Sequence, residues 1–150
     1  MPAGEERLRA YARDAVRILA ESLRLCAEGR PEFYRVAAVQ LRLLLCDTTH
    51  RHNELVSLAL LPRLLPQFSL PLLTPEGAFD AQRRLPLEEW LAQPLPASTL
   101  SLRQFIRRVC DQDGGAHVDV REEERSLPDA ARWVVLIGRM VGEELERVGW

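Results

Sequence analysis

Two stretches of the sequence contain all three histidines and carry the residue types best suited to chemistry. One reads D-T-T-H-R-H at residues 47–52, and the other reads G-G-A-H-V-D at residues 114–119. Imidazole nitrogens and carboxylate oxygens bind Zn²⁺, Mn²⁺ or Fe²⁺, and three such ligands around an open position support metal-assisted hydrolysis. We predict that both stretches are loops. They form a divalent transition-metal site only if the loops meet, and otherwise the histidines serve as local caps. The candidate metal ligands are Asp47, His50, His52, His117 and Asp119.

Arg108 and His117 suggest a second interpretation, acid–base catalysis without a metal. Imidazole titrates near neutral pH, and a guanidinium group can stabilise the charge of a phosphoryl transition state. An arginine followed by a histidine resembles the motif of HEPN-type ribonucleases, and this resemblance implies that Arg108 and His117 are catalytic residues. Eight residues separate the two, which is more than the HEPN motif places between them.

The composition excludes several other kinds of chemistry. All 20 positive charges are arginines and the chain contains no lysine, so Schiff-base, pyridoxal-phosphate and Walker-A lysine mechanisms are excluded. The formal net charge is −2, and the arginines are interleaved with acidic residues. Nucleic acid and anionic membranes attract proteins with a basic excess, so we predict neither as a partner.

Cysteine usage and hydropathy predict a cytoplasmic protein. Cys26, Cys46 and Cys110 are an odd number of widely spaced thiols without a C-x-x-C motif, which favours reduced, core-filling side chains. The residues from Met1 to Arg9 are charged rather than apolar, so we expect no secretory leader. No uncharged apolar stretch approaches the roughly 18 residues that a membrane span needs.

Hydrophobic periodicity predicts a single domain over residues 1–150 that begins with a helix pair at about residues 5–46. Apolar residues recur every three or four positions from Leu8 to Cys26, as on one face of an amphipathic helix. The link Gly29-Arg30-Pro31 is typical of a tight connection between antiparallel helices.

A proline-rich arm follows at about residues 47–96, where seven prolines prevent long helices. Residues 55–61 and 68–73 are predicted to be short strands or extended segments. Residues 74–77, T-P-E-G, fit a type I turn, so the arm is expected to contain a small hairpin. Residues 85–91 are typical of one or two helical turns.

Two further helices are predicted at about residues 101–148. Ser101 begins a capping box at the first, and Ser126 is the predicted cap of the second. The last helix is apolar on two sides, and Gly138 and Gly142 would let another helix approach closely. These features predict a homodimer formed through the last helix. The alternative is a central helix buried within one monomer.

The segments L-E-E-W-L at 87–91, S-L-R-Q-F-I at 101–106 and D-G-G-A-H-V-D at 113–119 carry one further resemblance. Together they resemble segments of uncharacterised small bacterial proteins. No activity is known for those proteins, so the resemblance implies a bacterial origin but no function. It marks residues 114–119 as the informative stretch.

These features predict a mainly α fold with a minor β component, with an α+β arrangement as the alternative. The favoured function is a non-enzymatic cytoplasmic interaction or regulatory module that self-associates. The alternative is a small metal-assisted hydrolase or HEPN-like nuclease centred on His117.

Overall fold

Helices dominate the fold, as the sequence predicts, with a minor β component. The computed structural model describes residues 2–46, 48–51, 54–57, 59–111 and 129–150. Within those ranges, no helix has both the length and the apolar composition needed to cross a membrane. The described helices are α1 (Pro2–Ala27), α2 (Tyr34–Leu45), α3 (Leu60–Leu64), α4 (Leu87–Leu91), α5 (Leu102–Asp111) and α6 (Ala130–Arg147), with a 3-10 turn at Pro31–Phe33.

The predicted helix pair is formed by α1 and α2, which pack against each other. Gly29 ends α1 with a φ of +90°, a left-handed conformation that glycine adopts without steric cost. The Arg30 N–H then donates to the Leu25 carbonyl at 3.1 Å, which closes the helix end in a Schellman-type turn. The chain reverses within a few residues, so α1 and α2 lie side by side.

Helix α6 packs against the rest of the chain along a broad apolar face, while Arg139 and Glu143 on its opposite side are exposed. It packs against α2, α1 and β3 (Ser69–Leu73). A Cβ atom placed on Gly138 would lie 2.9 Å from Leu23 Cδ1 of α1, and Trp133 is buried. The helix that approaches Gly138 is therefore α1 of the same chain, and Gly138 is not available to a second copy. Gly138 and Trp133 thus both pack within one chain, which favours the predicted alternative over a contact between copies through Gly138.

The proline-rich arm contains the predicted hairpin. Strands β3 and β4 (Phe79–Pro86) are antiparallel, and the Gly77 N–H donates to the Thr74 carbonyl at 3.0 Å to close the turn. Helix α4 follows directly, where one or two helical turns were expected. The described strands are β1 (Thr48–Arg51), β2 (Glu54–Ser57), β3 (Ser69–Leu73) and β4 (Phe79–Pro86), paired as β1 with β2 and β3 with β4.

Two predictions in the first part of the arm are wrong. The stretch with His50 is a strand rather than a loop, because Thr48 and Thr49 are β-branched and favour extended backbone. The predicted extended segment 55–61 is correct only at its start, where residues 55–57 lie in a strand, because residues 60 and 61 begin α3. Pro62 is tolerated there because the N–H groups of a first helical turn have no intrahelical partner.

The start predicted for the last helix is also wrong. Helix α6 begins at Ala130, and its N-cap is Asp129, whose carboxylate accepts a hydrogen bond from the Arg132 N–H at 3.4 Å. A carboxylate at this position satisfies one of the free N–H groups of the first turn. The predicted cap, Ser126, lies outside the described residues.

The outer edge of β3 is closed by side chains from elsewhere in the chain. Strand β4 pairs with one edge of β3, and alternate residues of β3 direct their backbone groups to the other edge. Three side chains from α6, α4 and the residues after α4 bind those groups. The bonds join Ser69 N to Glu144 Oε2 (3.2 Å), Trp90 Nε1 to Pro71 O (2.7 Å) and Leu73 N to Gln93 Oε1 (2.9 Å).

Candidate functional site

The predicted metal ligands lie mostly outside the described residues. This is true of Asp47, His52, His117 and Asp119, whereas His50 occupies the position of β1 opposite Leu55. In the part of the chain that the structure describes, no group of three or more histidine, cysteine, aspartate or glutamate side chains could hold a metal ion. The metal site, and the meeting of the two stretches that it requires, stay predictions.

The predicted catalytic pair is described only in part. Arg108 lies on α5 with its side chain half-buried, while His117 is outside the described residues. The pairing of Arg108 with His117 therefore stays a prediction as well.

The junction between the end of α2 and α5 places arginines around a buried thiol. Arg107 Nη2 donates to the Cys46 carbonyl at 3.1 Å, and Arg42 Nη1 lies 3.1 Å from Asp111 Oδ1. Burial raises the pKa of the Cys46 thiol to about 11, although the charges of Arg107, Arg103 and Arg42 lower it. The nucleophile is the thiolate, and a thiol with this pKa stays protonated at neutral pH. Cys46 is therefore a core residue, as the sequence predicts.

A different surface of the molecule has the character of a binding site: the outer side of the α1–α2 pair. Four of the five large apolar side chains that are exposed among the described residues belong to these two helices. Tyr11 is 66% exposed and Ile18 38% on α1, while Val36 is 40% and Val39 41% exposed on α2. Exposed apolar side chains that are grouped on one surface, rather than scattered singly, are typical of an interaction site.

A groove joins the two helices on this surface. It has a volume of about 660 Å³, and Ile18 and Leu25 of α1 line it together with Phe33 and Val36. We call this surface the hairpin face. It consists of Tyr11, Ile18, Leu25, Phe33, Val36 and Val39.

A row of alternating charges runs along α1 beside the apolar stripe formed by Tyr11, Ile18 and Leu25. Arg17 Nη2 donates to Asp14 Oδ1 at 3.3 Å, and Arg24 forms ion pairs with both Glu21 and Glu28. These side chains are all more than half exposed, so each ion pair alone contributes little to folding. We call this set the charge row: Asp14, Arg17, Glu21, Arg24 and Glu28.

The hairpin face was missed in the sequence, although a signal for it exists. Tyr11, Ile18 and Leu25 follow one another at intervals of seven residues, which places them on one side of a helix. The stronger stripe from Leu8 to Cys26 conceals this second one, because a single amphipathic face already accounts for burial of the helix.

Comparison with known proteins gives no family for this chain. No protein-family model matches it, and neither a curated protein nor a solved structure is significantly similar to it.

Proposed function

We propose that this chain is a non-enzymatic, cytoplasmic interaction module that self-associates through the hairpin face. The observation that carries the proposal is the grouping of exposed Tyr11, Ile18, Val36 and Val39 on one helix pair. Burying apolar surface against a partner is the dominant favourable term in most protein association.

The position of α6 supports the hairpin face over the last helix as the contact surface. Gly138 already receives Leu23 of the same chain. The outer side of α1 and α2, in contrast, has no other described element packed over Ile18, Val36 or Val39, which keep more than a third of their surface exposed.

The charge row supports a second copy as the partner. Its first four members, from Asp14 to Arg24, alternate in sign along α1, so they are complementary to themselves when two copies run in opposite directions. Complementary charges at the rim of an interface contribute specificity and register more than affinity. A copy of the same chain therefore supplies both the apolar surface and the matching charges.

Multi-angle light scattering at micromolar concentration tests the proposal. We expect the wild-type chain to have about twice the 17.1 kDa mass of one copy. The double variant Ile18→Gln/Val36→Gln replaces two exposed apolar side chains with glutamine, which forms helices well. We expect it to be a monomer with unchanged helix content by circular dichroism.

Val148→Gln is the matched control. Val148 is 38% exposed, the same fraction as Ile18, but it lies after α6 and outside the hairpin face. We expect this variant to have the wild-type mass. A wild-type mass of one copy would overturn the proposal. A double variant that keeps the mass of two copies would exclude the hairpin face as the contact surface.

A further inference from the structure

We propose that the second copy docks with α1 antiparallel to α1, across a two-fold axis near Ile18 and Leu19, and that Arg17 and Glu21 determine this register by pairing between the copies. The inference rests on the proposed function. It goes further by assigning the orientation of the partner and the residues that select it.

The apolar stripe of α1 fits this axis. In an antiparallel arrangement centred on Ile18, that side chain meets the partner's Ile18, and Tyr11 meets the partner's Leu25. The three stripe positions are equally spaced, at intervals of seven, so the stripe coincides with its own reversed copy. Residues one interval apart are separated by about 10 Å along the helix, which leaves room for each side chain to pack separately.

The charge row fits almost the same axis. With the two-fold axis beside Leu19, Arg17 faces the partner's Glu21 and Asp14 faces the partner's Arg24, and symmetry repeats both pairs. The apolar and charged rows prefer centres that differ by one residue, about 1.5 Å along the helix. One docked position therefore satisfies the apolar stripe and the first four members of the charge row, while Glu28 lies beyond the paired region.

The antiparallel orientation also places the charge row of one copy opposite the charge row of the other. The row lies on one flank of the apolar stripe, since residues three and four apart share a helix face. A two-fold axis perpendicular to α1 keeps that flank opposite the same flank of the partner. A parallel arrangement would exchange the flanks and place the charges against the partner's apolar Val36 and Val39, where they would lose water without gaining partners.

Charge reversal of single residues tests the register by sedimentation equilibrium of the full chain. Arg17→Glu places two acidic pairs in its own dimer, and Glu21→Arg places two basic pairs in its own. We expect each variant alone to raise the dimer dissociation constant about tenfold. An equal mixture of the two restores every pair, so we expect its dissociation constant to return to within about threefold of the wild-type value.

A second mixture, of Arg17→Glu with Asp14→Arg, is the matched control. Its charges change by the same amounts, yet the carboxylate introduced at position 17 still faces the partner's Glu21, and two unfavourable pairs remain. We expect this mixture to stay about tenfold weaker than the wild type. Circular dichroism checks that the single variants keep the helix content of the wild type.

The outcomes separate this inference from the proposed function. A monomeric wild type would overturn both. A wild-type dimer whose variants dissociate no more readily would overturn the register and leave self-association intact. Equal rescue in both mixtures, or rescue in neither, would also overturn the pairing of Arg17 with Glu21. Rescue confined to the first mixture would support it.

Discussion

Replacement of Glu144 by alanine is expected to destabilise the fold more than any other single change to a charged side chain described above. The Glu144 side chain is only 1% exposed. Its oxygens accept hydrogen bonds from the Ser69 N–H at 3.2 Å, from Arg84 Nη2, and from Arg147 Nε and Nη2. One carboxylate thus joins α6 to both strands of the β3–β4 hairpin.

The expected loss for Glu144→Ala is about 2–3 kcal/mol. Leaving the Ser69 N–H without an acceptor costs about 1–3 kcal/mol. Removing one partner of a fully buried ion pair costs about 3–5 kcal/mol, but Arg84 is 30% exposed and can turn to water. The expected total therefore lies at or just below the lower end of the range for a fully buried pair. Glu144→Gln keeps a carbonyl oxygen for the Ser69 N–H and is expected to lose less.

Urea unfolding followed by circular dichroism measures this loss, and Glu143→Ala is the matched control on the same helix. Glu143 is exposed, so we expect its replacement to change the free energy of unfolding by no more than about 0.5 kcal/mol. If Glu144→Ala were no more destabilising than Glu143→Ala, the Glu144 carboxylate would not hold the β3–β4 hairpin against α6, and the reasoning above would be refuted.

The same carboxylate predicts how stability depends on pH. Burial raises the pKa of Glu144, but hydrogen bonds from Arg147 and the Ser69 N–H and the charges of Arg84 and Arg147 outweigh it, so the pKa lies below its ordinary value of 4.5. A group whose pKa is lower in the folded state stabilises the fold above its unfolded pKa and loses that contribution as pH falls through the folded value. We therefore expect the stability difference between wild type and Glu144→Gln to shrink as the pH is lowered from about 5 to about 3. A constant difference would contradict this.

Three further predictions concern single residues. Gly142→Ala should stabilise α6 by about 0.5–1 kcal/mol because nothing lies within 4 Å of the added Cβ. Gly138→Ala should be at least about 1 kcal/mol less stable than Gly142→Ala because its Cβ meets Leu23. Equal melting temperatures for the two variants would mean that Leu23 moves without cost. Cys46 is 3% exposed and burial raises its pKa to about 11. Mass spectrometry should therefore find it unmodified by iodoacetamide until urea unfolds the chain. If the folded chain were alkylated as fast as the unfolded chain, the burial of Cys46 would be contradicted. Ser101→Ala should cost about 1 kcal/mol in urea unfolding, with Ser101→Asp keeping most of the stability, and equal losses for both variants would exclude capping.

Local signals account for the parts of the fold that were predicted correctly. The capping box at the start of α5 forms in both directions, with the Gln104 N–H bonded to Ser101 Oγ at 3.2 Å and the Ser101 N–H bonded to Gln104 Oε1 at 2.9 Å. The turn at residues 74–77 also forms where predicted. In each case the interacting groups lie within four residues, so their spacing in the sequence already determines the contact.

The errors occur where distant packing decides the structure. Leu60, Leu61 and Leu64 form a buried helical face, but the short apolar run at 55–61, which ends before Pro62, fits a strand equally well. The role of Gly138 depends on whether α1 or a second chain approaches it, and both partners satisfy the same spacing. The hairpin face was overlooked because exposure of Ile18 and Val36 depends on which elements cover α1 and α2.

The closed outer edge of β3 bears on how this protein avoids aggregation. A two-stranded sheet presents unpaired backbone groups on its free edges, and such edges can recruit a strand from another molecule. Along β3 that opportunity is reduced twice. Pro71 has no N–H to offer, and the carboxylate, indole and amide of Glu144, Trp90 and Gln93 already bind the Ser69 N–H, the Pro71 carbonyl and the Leu73 N–H. A partner added by strand pairing would first have to displace three side chains held by α6 and α4. The helix pair is thus left open to association, while this edge of the sheet is protected from it.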